Sequence, residues 1–292
     1  MTYKSRNIKI QFTLSDGKTF DDSENNVLTV ENMRCYIEME SSGGITGTQI
    51  MLKIWGLSVD KMAVLSYRGV WSGGSTPNRI RVWADDRAVF EGFISDASAN
   101  FNEMPDVALI LTASMMYGPR LRQVSPFSAK GDVDINDIIK TMATQAGMGF
   151  ESNGATGKLT NPYFDGDIVT QILSATSAVS VVADIEPDRV IIWPRGKPRR
   201  GTTLIISREN GMIGYPVFTN VGLIVTTTFS PEIVTGRHIK IQTDLPNASG
   251  DYYIIGAKNF IASKTEGGQW YSVMSVAPVT GNDNGTTSNK SR

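Results

Sequence analysis

The sequence contains one cysteine, Cys35, and one histidine, His238, in 292 residues. A single thiol cannot close an internal disulfide, so the fold does not depend on an oxidising compartment. One imidazole and one thiol cannot by themselves make the ligand set of a zinc site. No metal and no cofactor is therefore expected. Neither sign of charge is in excess: 28 Lys and Arg against 29 Asp and Glu leave −1, which gives no global attraction to nucleic acid or an anionic membrane. Long hydrophobic runs are missing too, and nothing approaches the roughly 20 apolar residues of a spanning helix. Met1–Arg6 leads into an alternating polar segment, not the apolar core of a secretion signal. These absences predict a soluble chain made in a cytoplasm, without membrane insertion. The Asn-x-Ser/Thr matches at Asn247, Asn284 and Asn289 then carry no glycosylation reading.

What is present is strand rhythm. The hydrophobic fraction of 40% and charged fraction of 20% are those of a globular protein, long enough for two cores. Ile8, Ile10, Phe12 and Leu14 alternate with polar residues, and Asp16-Gly17 supplies a turn. Met33, Cys35, Ile37 and Met39 repeat the alternation, as do Ile50, Leu52 and Ile54. Ser58–Leu65 interrupts it with a short helical stretch carrying Met62, Val64 and Leu65. After the Ser72-Gly73-Gly74-Ser75 loop come Ile80, Val82 and Ala84, a turn at Asp85-Asp86, a strand Val89–Ile94, and Val107, Leu109 and Leu111. Many short strands joined by polar turns predict an antiparallel barrel or sandwich.

The period then changes. Ile135, Ile138, Ile139, Met142, Ala143 and Ala146 form a helical stripe, with Asp134 at the N-cap and Gly147 as the stop. A second helix is predicted from Gly166 to Ala178, capped by Asp165, then a strand Val179–Ile185, a turn at Glu186–Arg189 and a strand Val190–Trp193. Strand patterns return at Leu204–Ile206, Gly222–Thr227, His238–Gln242, Tyr252–Ala257 and Tyr271–Ala277. The polar end, Gly281–Arg292, is predicted to be disordered. The resulting plan is mainly β with a small α+β insertion: a first β-barrel domain over 1–117, an α/β module over 118–200, a second β-barrel domain over 201–280 and a tail over 281–292.

Candidates for chemistry are few. A Cys35–His238 nucleophile pair is conceivable, but Cys35 lies on an apolar strand face, the pattern of core packing. Glu38, Glu40, Glu91 and Glu103 could serve a carboxylate hydrolase, yet no motif surrounds them. Gly43-Gly44-Ile45-Thr46-Gly47 lacks the lysine of a phosphate loop and reads as a hairpin tip. The basic run Arg195-Gly196-Lys197-Pro198-Arg199-Arg200 reads as a solvated connection between domains. Trp55, Trp71 and Trp83 sit among strands as packing residues. No catalytic, cofactor-binding or metal-ligating residue is assigned.

The order of these segments resembles one family. Leu52-Lys53-Ile54-Trp55-Gly56-Leu57 with its following short helix, Val89–Ala97, and Met104-Pro105-Asp106-Val107 are similar to the early region of contractile-tail phage baseplate hubs. Ile138–Gly147, Ile168–Val182 and Val190-Ile191-Ile192-Trp193-Pro194 look like the middle. Ile206–Pro216, Phe229-Ser230-Pro231 with Gly236, Asn247-Ala248-Ser249-Gly250 and Gly268-Gln269-Trp270 look like the end. The resemblance implies a non-enzymatic central hub with two tail-tube-like barrels per chain, located in the virion's tail baseplate after synthesis in the host cytoplasm. A homotrimer would match the sixfold tube, or a tube-initiator protein, above to a threefold spike below, around a channel for the genome. Tape-measure and wedge proteins are further implied partners, and sequence-specific nucleic-acid binding is not. It also implies that outer faces carrying Tyr36 or Trp83 contact neighbouring subunits. A tail-associated peptidoglycan hydrolase using carboxylates and a carbohydrate-binding β-protein are the alternatives. Exposed aromatics flanking a groove would mark the latter.

Overall fold

Alternation becomes burial along the first strands. In the computed structural model, which describes residues 6–20, 24–42, 47–66 and 76–279, Ile8, Ile10 and Phe12 are buried while their neighbours face outward. Each such side chain contributes about 1.5–3 kcal/mol on leaving water. The loop at Ser72–Ser75, most of the glycine-rich tip at 43–47, Trp71 and the end at 281–292 lie outside the described residues.

The first region holds β1 (Ile8–Thr13), β2 (Val27–Glu31), β3 (Cys35–Ser42), β4 (Gly47–Trp55), α1 (Val59–Leu65), β5 (Arg79–Ala84), β6 (Arg87–Ala99) and β7 (Ala108–Ser114). Turns fall where expected: Asp16 and Gly17 take positive φ in the long connection from β1 to β2, and Asp85 and Asp86 do so between β5 and β6, as a tight hairpin reversal requires. Helix α1 buries Met62 and Leu65, but Val64 faces outward.

The middle region follows with α2 (Tyr117–Arg120), β8 (Phe127–Ser128), β9 (Asp132–Asp134), α3 (Ile135–Gln145), β10 (Gly149–Ser152), β11 (Lys158–Thr160), β12 (Tyr163–Phe164), α4 (Ile168–Ala178), β13 (Val181–Ile185) and β14 (Arg189–Pro194). Helix α3 starts and stops as predicted, with the Asp134 carboxylate accepting from the Asn136 N–H and Gly147 at φ 66°. Helix α4 does not. Its cap is Asp167, which accepts from the Val169 and Thr170 N–H groups, so the helix begins two residues later than Asp165 would set it. Strand β13 also starts late because Ser180 takes positive φ. Strand β10 pairs with β14 in parallel, a contact across distant segments that no local pattern announces.

The last region comprises β15 (Leu204–Ile206), β16 (Val217–Phe218), β17 (Leu223–Thr228), β18 (His238–Ile241), β19 (Gly250–Ser263) and β20 (Trp270–Pro278). The chain is mainly β, with 46% strand against 14% helix, as the alternation predicted. One large sheet runs β2-β1-β5-β6-β7-β4-β3-β19-β20-β17-β16, with β18 on β19 and β15 on β18. This path is open: its hydrogen bonds do not close into a ring among the described residues.

Strand β19 joins the two β regions. Its first half pairs with β18 and its second half with β3, with a bulge against β20 between Ile254 and Gly256 that lets a long strand bend. Three apolar clusters result: residues from Ile8 to Ala113 with Ile261, residues from Met116 to Ile192, and residues from Ile206 to Val276. Buried hydroxyls bridge the first and third regions. Thr48 donates to Ser41 at 3.1 Å, and the Ser41 and Thr235 hydroxyls lie 3.0 Å apart. Arg79 of β5 bonds Asp188 at 2.7 Å in the β13–β14 turn, tying the first region to the middle one.

Candidate functional site

The residues with chemical potential do not converge. Cys35 pairs across the sheet with Ser263, and His238 pairs with Tyr253, ten residues away along β19. At the rise of a strand that separation is about 30 Å. The Cys35 thiol is buried, with Sγ 3.2 Å from the Ser263 hydroxyl, and burial pushes its pKa up. His238 instead lies between Thr203 and Asp251, its two ring nitrogens 3.0 and 3.1 Å from their oxygens.

The four glutamates are separately engaged. Glu40 pairs with Lys258 at 3.1 Å, and Glu91 is held by both Arg79 and Arg81. Glu103 accepts from the Asn100 amide at 3.0 Å, and Glu38 stands beside Tyr36 on the outer face of β3. Among the described residues no group of three or more His, Cys, Asp or Glu could hold a metal ion, and no helix is long and apolar enough to cross a membrane.

The basic run differs from the solvated connection expected of it. Arg199 pairs with Asp184 at 3.2 Å, with side chains 17% and 15% exposed, and its backbone N–H donates to Gly236. The Arg200 N–H donates to the Asn153 side chain. The connection is thus stapled to both regions that it joins, because its guanidinium and backbone complete bonds that water would otherwise have to make.

Trp55 and Trp83 stand on outer faces with cations over their rings. The Arg34 guanidinium is 4.3 Å from the Trp55 centroid, and Lys9 and Arg81 lie 5.2 and 5.6 Å from that of Trp83. Tyr36 is half-buried beside Tyr271, whose ring tilts against Phe260 at 5.0 Å.

The most conspicuous surface was not singled out in the sequence. Between Ile213 and Ile224, six large apolar side chains are exposed: Ile213, Tyr215, Val217, Phe218, Val221 and Ile224. They decorate the β16–β17 hairpin at one end of the large sheet. A cleft of about 720 Å³ opens beside it, lined by Arg208, Glu209, Tyr215, Gln242 and Asp244 among others. The Glu209 carboxyl is held below the usual range by its own backbone N–H and the Ser207 hydroxyl. One signal was legible beforehand: no charged residue occurs from Asn210 to Pro231. Apolar periodicity alone could not show that these side chains lack cover.

Comparison with known proteins identifies the fold and the family. No curated protein matches the chain in sequence. Among solved structures, the tail protein of Neisseria meningitidis MC58 is similar with a TM-score of 0.60 at 11% identity, covering 94% of this chain and 97% of that one. The 43 kDa tail protein of prophage MuSo2 from Shewanella oneidensis gives 0.61 at 10%, with the same coverages of 94% and 97%. A chain of the Francisella PdpA-VgrG complex gives 0.56 at 8%, covering 99% of this chain and 60% of that one. At such identities these likenesses establish the fold. Residues 83–272, more than half of the chain, match the family described as Baseplate hub gp41. The chain belongs to that family of phage baseplate hub proteins.

Proposed function

We propose that the protein is the structural hub of a contractile phage tail, in which three copies form a ring joining the sixfold tube above to a threefold spike below. Residues 1–117 and 201–280 act as two tube-like barrel domains, 118–200 as a module on their outside and 281–292 as a tail. The observation that carries this reading is strand β19, which belongs to the sheets of both β regions at once. Two β units locked on one strand hold a fixed mutual orientation, which six units in a three-copy ring require. The channel passes the genome without reading its sequence. Outer faces around Tyr36 and Trp83 meet neighbouring subunits, and tape-measure and wedge proteins complete the surroundings.

The role is structural rather than catalytic, since the carboxylates and the lone thiol are engaged in ion pairs, hydrogen bonds and packing. Negative-stain imaging of the purified chain is expected to show a threefold ring with a central hole. A compact monomer that stays solitary beside tube and spike components would overturn the reading. Release of sugar reducing ends from cell wall, abolished by one Glu→Gln change, would replace it with the hydrolase.

A second reading has one observation in its favour. Tyr215, 67% exposed, flanks the polar cleft that also holds Arg208, Gln242 and Asp244, the arrangement expected of a carbohydrate-binding surface. Titration with soluble cell-wall saccharides tests it. Binding lost in Tyr215→Ala supports it, and absence of binding dismisses it.

A further inference from the structure

We infer that the hairpin between Asn210 and Pro231 is an arm that docks on a second copy of this chain, against strand β2 at the far end of that copy's sheet. The inference rests on the ring reading and names the contact that closes it.

Val217 and Phe218 are adjacent in β16, so their side chains point to opposite faces of the sheet. Both are more than half exposed. Both faces of this strand are more open than covered, and among the described residues β16 pairs only with β17. A sheet end facing water normally carries lysines or other charges that discourage pairing. This arm has no charged residue from Asn210 to Pro231, only Pro216 beside a short strand. Charge depletion with exposed aromatic and aliphatic side chains is the composition of an interface centre.

The arm is also held ready. The Thr219 hydroxyl accepts from the Val221 and Gly222 N–H groups, and the Thr219 N–H donates to Gly222. At its base the Ile213 N–H donates to Thr226 and the Thr228 N–H to Gly211. A Cβ at Gly222 would lie 2.1 Å from the Val276 carbonyl, so only glycine lets the hairpin press this closely on β20. An arm ordered before contact loses little conformational entropy on binding.

The other end of the sheet supplies the complement. Among the described residues, strand β2 pairs only with β1. The Leu14 N–H donates to Asn26, and by the alternation of an antiparallel ladder Thr29 and Glu31 turn their backbone groups away from β1. One chain therefore offers two different open ends. Contact of arm with arm would leave every β2 edge bare, whereas arm to β2 uses both and repeats head to tail until a ring closes.

The test uses the full chain. Val217→Cys protein and Thr29→Cys protein are mixed and treated with a short bismaleimide, with each variant alone as control. A 217-to-29 cross-link found only in the mixture is the expected result. Val217→Asp with Phe218→Asp, checked by circular dichroism for an unchanged fold, is expected to weaken self-association about 100-fold. A ring formed alike by wild type and by the aspartate variant, with no 217-to-29 cross-link, overturns the arm and leaves the hub reading intact. A 217-to-217 cross-link in the control overturns β2 as the partner. The 217-to-29 cross-link in an assembly that is not threefold supports the arm and sinks the trimer, and a wild-type chain that stays monomeric even beside tube and spike components sinks both.

Discussion

Asp184 on β13 and Arg199 on the connection to the last β region form an ion pair of 3.2 Å with both side chains largely buried. The pair fixes where the middle region meets the third cluster, because the Arg199 backbone N–H also bonds Gly236. Burial, assisted by nearby Glu186, pushes the Asp184 carboxyl up to about 6 despite the opposing pull of Arg199.

A folded pKa raised above its unfolded value of 3.8 gives stability that is fully present below the unfolded pKa and lost as pH rises through the folded one. Lowering the pH from 7 to 5 is therefore expected to add about 1.4 kcal/mol through this group. Urea unfolding of wild type and Asp184→Asn at both pH values measures it as a difference. An equal response in the two proteins would show that Asp184 does not titrate in this range.

Removing the cation should be worse than removing the acid. Arg199→Met leaves Asp184 buried without its partner, and a loss of about 3 kcal/mol at pH 7 is expected, shrinking as the pH falls toward 5 and the acid, no longer pulled down by Arg199, protonates. Denaturation of this variant across the same pH interval checks the sign as well as the size.

Gly236 should reject any side chain. Its φ of +80° disfavours L residues, and an added Cβ would meet the Trp193 ring at 2.8 Å and the Arg199 side chain at 3.1 Å. Gly236→Ala is expected to cost about 2–4 kcal/mol by summing backbone strain and overpacking. A melting temperature unchanged from wild type would contradict that packing.

The cap of α4 separates two neighbouring aspartates. Asp167 accepts two backbone N–H groups and the Thr170 hydroxyl, so Asp167→Ala should cost about 1 kcal/mol. Asp165→Ala, outside the cap, should change stability by less than about 0.5 kcal/mol. Paired unfolding curves decide between them, and the reverse order would restore the cap predicted at Asp165.

Cys35 should be inert while the protein is folded. Its thiol is 1% exposed and its ionisation is disfavoured by burial, and the thiolate is the reactive form. Labelling by a thiol reagent is expected only at the rate of unfolding, and rapid labelling of native protein would show that the sheet opens around β3.

The amino acid sequence by itself determined the local units. Ile8 to Leu14 and Cys35 to Met39 alternate because every second side chain of a strand reaches the core, and Asp85-Asp86 turns because a tight hairpin needs positive φ there. Asp134 and Gly147 bound α3 through bonds made within a few residues. Tertiary structure alone decided what lies beside what. Strand β3 meets β19 across more than two hundred residues, β10 joins β14 in parallel, Arg199 goes under cover, and Val217 and Phe218 are left without it. The physical reason is range: turns, caps and periodicity are settled by neighbours in the chain, whereas pairing order and solvent cover depend on segments that meet only after collapse.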